Sequence, residues 1–97
     1  MKRGGWTYIM TNRRYGVLYV GVTADLPVRV GRNREGRGSA FCRRYKLTRL
    51  VLVERHERIE DAIAREKALK AWDRQWKLEL IDKANPGWRD LWDDINR

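Results

Sequence analysis

The chain has 97 residues, with 22 Lys+Arg against 13 Asp+Glu and a formal charge of +9; this length holds one core and excludes two, so residues 1–97 read as a single domain. Five Trp and a 10% aromatic content argue against disorder, and a single Cys, Cys42, excludes an internal disulfide or a four-Cys zinc site. The apolar run Val17 to Val22 is far too short to span a bilayer and the opening Met-Lys-Arg-Gly-Gly is no signal core, so the expected location is the cytoplasm, without membrane.

Trp6 to Thr11 and Val17 to Thr23 are rich in strand formers, and Asn12 to Gly16 carries turn chemistry. Together they predict a β-hairpin. A turn centred between Arg13 and Arg14 sets Tyr8 opposite Tyr19, on one side of the sheet. Thr23 or Asp25 caps a helix over 26–34, with Pro27 tolerated in its first turn. Gly31 inside that helix costs about 1 kcal/mol relative to Ala, so tertiary support is required. Gly36 to Ala40 reads as a flexible loop. Leu50 to Glu54 is a third, buried strand. A helix follows from Glu57 to about Trp76, with acids near its N-terminus; residues 75–81 continue it or begin another. Asn85-Pro86-Gly87 breaks the chain, and 88–95 form a terminal helix. The expected fold is α/β (α+β): a small, mainly antiparallel three-stranded sheet with flanking helices, in the order β-β-α-β-α-α.

Charge divides the chain. Residues 1–50 hold 12 Lys+Arg and only Asp25 and Glu35, whereas residues 51–97 hold 10 Lys+Arg and 11 acids. The densest stretch carries Arg29, Arg32, Arg34, Arg37, Arg43, Arg44, Lys46 and Arg49. Such a field draws polyanions, and Arg suits bidentate phosphate contacts. A nucleic acid is therefore the expected partner, contacted by Arg32, Arg34, Arg37, Arg43, Arg44 and Lys46.

One residue breaks its pattern. With successive residues about 100° apart, Ile59, Ala62, Ile63, Leu69 and Trp76 mark an inward helix face, and Glu66 falls within that arc. A carboxylate there must be paired, hold a cation or face a cleft. The simplest pairing is with Lys70, one turn on. Trp72, Trp76, Trp88 and Trp92 have the spacing of core or docking residues. His56 reads as structural, and Cys42 as a free, non-catalytic thiol.

These residues resemble the GIY-YIG nuclease superfamily, in particular its small stand-alone bacterial proteins. Trp6-Thr7-Tyr8 keeps the Tyr of the first signature, Tyr19-Val20-Gly21 is a variant of the second, and eleven positions separate the two tyrosines. Arg29, ten positions after Tyr19, stands at the family's arginine. Ala62 to Lys67 matches the helix bearing the family's metal-binding glutamate, which places that role on Glu66. Asn85 to Leu91 matches the C-terminal segment, with Asn85 as the asparagine near the site. The chain departs from the pattern at Asn33, where the superfamily usually has His or Tyr; Asn cannot exchange protons near neutral pH.

The resemblance implies hydrolysis of DNA phosphodiesters with one weakly bound Mg²⁺ or Mn²⁺. Arg29 would offset charge on the phosphate, Glu66 would hold the cation, and Tyr8, with Tyr19 orienting or sharing, would take the water's proton. An unperturbed phenol has a pKa near 10, so activity is expected to rise toward alkaline pH. The substrate is expected to be branched or nicked DNA, because so small a domain offers little surface for sequence readout. Two further readings stand beside this one. The first is a binding module of the same fold that has lost turnover through Asn33. The second is a nuclease subunit that docks a protein partner through its acidic C-terminal helix (Asp90, Asp93, Asp94).

Overall fold

The computed structural model describes residues 4–96. The hairpin forms from β1 (Gly5–Thr11) and β2 (Leu18–Thr23), in a different register from the centred turn. Trp6 pairs with Thr23 and Thr11 with Leu18, so Tyr8 faces Gly21 and not Tyr19. The connection is longer because Asn12 Oδ1 accepts a hydrogen bond from Val17 N at 2.9 Å and Tyr15 adopts a left-handed φ of 56°. The shift is by two residues, so Tyr8 and Tyr19 keep a common face.

The third strand, β3 (Arg49–His56), is longer than Leu50–Glu54 and pairs antiparallel with β1, giving the order β2-β1-β3. A bulge lies between them: Ile9 faces Leu52 and Met10 faces Leu50, leaving Val51 between. The sheet is buried on both faces. Tyr8, Met10 and Leu50 join Leu26, Val30, Cys42 and Leu47 on one; Ile9, Val20, Val51 and Leu52 join Leu69, Ile81 and Trp88 on the other. Double burial explains why the strands read as continuous apolar runs and do not alternate.

The first face is covered by α1 (Leu26–Arg34), α2 (Ala40–Tyr45) and the four-residue α5 (Trp92–Ile95). Helix α1 has its predicted bounds, and Asp25 Oδ1 caps Val28 N at 3.4 Å. Gly31 receives its tertiary support from α5: a Cβ there would lie 3.3 Å from the Trp92 ring. Helix α2 occupies a stretch that carries no periodic apolar signal. It exists because Ser39 Oγ caps Cys42 N at 3.3 Å and Lys46 closes it in a left-handed conformation, φ 56°.

The second face is covered by α3 (Ile59–Ala71) and α4 (Arg74–Ala84). The single helix expected over 57–76 is interrupted where Trp72 turns extended, with ψ of 148°. The helical phase is lost at that break. Ala62 and Leu69 are fully buried as expected, but Trp76 is 55% exposed and Ile63 also faces solvent. The terminal helix is shorter than 88–95. Trp88 is buried in a turn, where its Nε1 donates to Asp82 at 2.7 Å.

The C-terminal segment covers the start of the free edge of β3, at Leu50 and Val51. Leu91 N donates to Leu50 O at 2.8 Å, Leu50 N donates to Asp90 at 3.2 Å, and Asn85 Nδ2 donates to Val51 O at 3.1 Å. That part of the edge is closed to pairing with a second chain. No helix among the described residues is long and apolar enough to cross a membrane.

Leu69 is the apolar anchor of α3 on the sheet. Leu69→Ala should lower stability by about 2–5 kcal/mol, read from the denaturant midpoint.

Candidate active site

Tyr8 and Tyr19 reach the site from β1 and β2, with ring centroids 6.3 Å apart. The Tyr8 ring lies over Gly21: a Cβ there would lie 2.5 Å from the Tyr8 hydroxyl oxygen, so the position admits only glycine without displacing the phenol. Tyr8 is fully buried, whereas Tyr19 is partly exposed and lines an open cleft with Leu18, Phe41, Lys70 and Lys77.

Asn33, at the end of α1, holds Tyr8 in place. It is 2% exposed, and its Nδ2 donates to the Tyr8 hydroxyl at 3.2 Å. Its Oδ1 accepts from Ser39 N, the capping residue of α2, at 2.8 Å. Gly38 makes this closure feasible, because a Cβ there would collide with Asn33 Oδ1. The residue that departs from the family pattern is therefore fully engaged, joining the phenol to α2. Burial raises the Tyr8 pKa above its ordinary value, the charge of Tyr19 adds to the rise, and the Asn33 hydrogen bond and Arg29 oppose it. Arg29 thus acts electrostatically on the phenol, and among the described residues its guanidinium enters no ion pair.

Glu66, on α3, has a side chain 16% exposed and pairs with Lys70 Nζ at 3.1 Å. Because Lys70 lines the same cleft as Tyr19, the pair sits at that cleft's margin. Glu66 offers a carboxylate as donor, and among the described residues no group of three or more His, Cys, Asp or Glu could hold a metal ion. A carboxylate donor fits Mg²⁺ or Mn²⁺, hard ions that keep several waters and take one or two carboxylates plus substrate phosphate, and it does not fit a closed thiolate or imidazole site.

Asn85 is not brought to the tyrosines. Its Nδ2 donates to Val51 O and, at 2.8 Å, to Arg89 O, while its Oδ1 accepts from Arg89 N at 3.1 Å. It fastens the C-terminal turn to the β3 edge, across the sheet from β2. Arg34 is likewise turned inward, pairing with Asp90 at 2.7 Å and lying 4.9 Å from the Trp92 ring. Arg37 pairs with Glu35, whereas Arg32, Arg43, Arg44 and Lys46 are exposed and enter no ion pair among the described residues.

The acidic C-terminal patch is mostly committed to the fold. Burial pushes the Asp90 pKa up, but hydrogen bonds from Arg34 and from Leu50 and Trp92 N–H groups outweigh it, so the net shift is downward. Asp94 pairs with Arg89 at 2.9 Å. His56 is 3.2 Å from the Thr7 hydroxyl, a structural contact. Cys42 is buried, which raises its pKa and keeps it from acting as a nucleophile.

Phe41 and Tyr45 were not legible as site residues, because only the formation of α2 brings them there. Phe41 stacks on Tyr19, with centroids 6.0 Å apart, and meets Tyr45 at 4.8 Å.

The sheet carries Tyr8 and Tyr19 on the adjacent strands β1 and β2, with Arg29 on α1 and Glu66 on α3. Residues 4–79 match the model of the GIY-YIG catalytic domain. A UPF0213 protein of Staphylococcus aureus strain Mu3 is 35% identical over 66 residues, which cover 68% of this chain and 80% of the relative. The UPF0213 proteins of strains N315 and USA300 match to the same extent. No solved structure matches the chain. The chain belongs to the GIY-YIG family, a family of nucleases.

Two measurements test this geometry. Asn33→Ala leaves the Ser39 amide and the Tyr8 phenol without their partner, and should cost about 1–3 kcal/mol in denaturant unfolding. In an alkaline titration read by tyrosinate absorbance, Tyr8→Phe should leave the native chain's change up to pH 10 unaltered, because burial raises the Tyr8 pKa above its ordinary value. A smaller change in the variant over that range would contradict the burial. The sign of the linkage follows: the unfolded phenol ionises near pH 10 and the folded one only higher, so this contribution to stability is complete below pH 10 and lost above it.

Proposed function

We propose that the protein is a Mg²⁺- or Mn²⁺-dependent DNA endonuclease of the cytoplasm, acting on branched or nicked DNA. The observation that carries this reading is the contact of Tyr8 with Asn33 and Tyr19, together with a cleft lined by Tyr19 and by Lys70, the ion partner of Glu66. The net positive charge of the first half, with Arg32, Arg43, Arg44 and Lys46 exposed, supports a polyanionic substrate. The small size supports recognition of shape over sequence.

In this mechanism a water oxygen attacks phosphorus and the P–O bond to the leaving strand breaks. Arg29, whose charge reaches Tyr8 and which enters no ion pair among the described residues, would bind the phosphate oxygens as charge builds on them. The base must be a tyrosinate, its own proton already lost to solvent, and it must be reached by the attacking water. Tyr19 is partly exposed on the cleft and Tyr8 is fully buried, so we assign proton transfer to Tyr19. Tyr8, anchored by Asn33, fixes the position of the Tyr19 ring. Glu66 would hold the divalent ion, which supplies charge neutralisation at the phosphate and the leaving oxygen. Lys70 must release the carboxylate when the ion binds.

Asn33 favours a second reading, a nucleic-acid-binding module without turnover, because it cannot transfer protons. Labelled branched and nicked DNA, incubated with Mg²⁺, separates the two. The nuclease reading expects cleavage by the native chain and a loss of more than about 100-fold in Glu66→Ala. Salt-sensitive binding, with cleavage appearing only in Asn33→His, would establish the module.

A further inference from the structure

From the row of rings that runs outward from the site, we infer a nucleotide subsite that takes one unpaired base of the substrate strand beside the scissile phosphate. It rests on the nuclease reading for its orientation, but on its own observations for its existence.

The rings progress from core to solvent. Tyr8 is buried, Tyr19 lies 6.3 Å from it, Phe41 stacks on Tyr19 at 6.0 Å with an interplanar angle of 29°, and Tyr45 follows at 4.8 Å. Phe41 and Tyr45 are 42% and 40% exposed. Exposed rings in contact are costly to leave in water, and here they adjoin a cleft. That cleft has apolar walls of Leu18, Tyr19, Val20 and Phe41, and its only charged lining groups among the described residues are the ammonium groups of Lys70 and Lys77. Beyond it, the Arg44 guanidinium lies 5.4 Å from the Tyr45 ring, with Arg43 and Lys46 exposed nearby in sequence.

A flat apolar wall with cations at its rim is complementary to a nucleotide. The base lies against the ring and the phosphate meets an ammonium group. A base within a duplex already has both faces covered by its neighbours, so only an unpaired or extruded base offers a face to Phe41. Lys70 connects the subsite with the chemistry. It is the ion partner of Glu66, so its release from that carboxylate would free its charge for the incoming phosphate.

The test is binding in EDTA, which prevents metal-dependent turnover. The native chain should bind a short labelled oligothymidylate in fluorescence anisotropy. Phe41→Ala should weaken that binding at least about fivefold, and that of a blunt duplex by less than about twofold. Phe41→Trp should retain it. On an abasic strand of equal length, Phe41→Ala should have no effect. In the native chain, an oligonucleotide carrying 2-aminopurine should lose fluorescence on binding as the base stacks, which requires no variant to fold.

Equal losses on single strand and duplex, or no quenching, would overturn the subsite. Failure to bind the oligothymidylate at low salt would also overturn it and leave the aromatic face to an acidic protein partner. Glu66-dependent cleavage without quenching would sink the subsite and leave the nuclease. Quenching without cleavage under any condition would do the reverse.

Discussion

The side-chain amide of Asn33 is bound at both ends, and the site depends on that bond pair. Its Nδ2 fixes the Tyr8 hydroxyl and its Oδ1 fixes the first turn of α2 through Ser39 N. One buried amide thus sets the phenol, which packs against Tyr19, and the helix, which stacks Phe41 on Tyr19. A buried amide of this kind is held by the cost of leaving any of its partners unsatisfied, and that cost selects one geometry among many of similar packing. Gly21 and Gly38 are the conditions for it, since a side chain at either would occupy space taken by Tyr8 or Asn33.

The fold was legible where local signals were strong. Two strand-rich runs with a turn between them, a capped helix over 26–34 and a buried third strand all appear. The hairpin register was not legible, because Asn12 and a left-handed Tyr15 stabilise a longer connection. Helix α2 was not legible, because it is short, cationic and dependent on a cap. The sequence leaves a second helix over 75–81 open, but it sets the end of the first too late, at Trp76, because helix formers continue through Trp72; with the phase lost there Trp76 turns to solvent. Glu66 was identified by its placement on an apolar arc; the structure sets it at the margin of that arc, partly exposed and paired with Lys70. Asn85 and Arg34 show the limit of reading position alone, because only the tertiary fold shows that Asn85 holds the β3 edge and Arg34 holds α5.

The separation of charge along the chain corresponds to a division of labour. Several acids of the second half pair with cations of the same half, as in Arg65–Glu54, Lys70–Glu66 and Arg89–Asp94. Cations of the first half have few acids to meet, so α1 and α2 present most of theirs outward. In the proposed mechanism a strand drawn to that surface would come close to the cleft of Tyr19, and a single carboxylate would suffice there, because the phosphate itself would complete the coordination of a hard cation.

The central claim is that the two phenols, Arg29 and Glu66 belong to one site. Mn²⁺ added to isotope-labelled protein in the presence of a short DNA strand tests it most directly, through paramagnetic broadening of NMR signals. Signals of Glu66, Lys70 and Tyr19 should broaden first and together, and Glu66→Gln should abolish the effect. Broadening centred on the exposed acids of the α3 N-terminus, Glu60 and Asp61, with Tyr19 untouched, would contradict it.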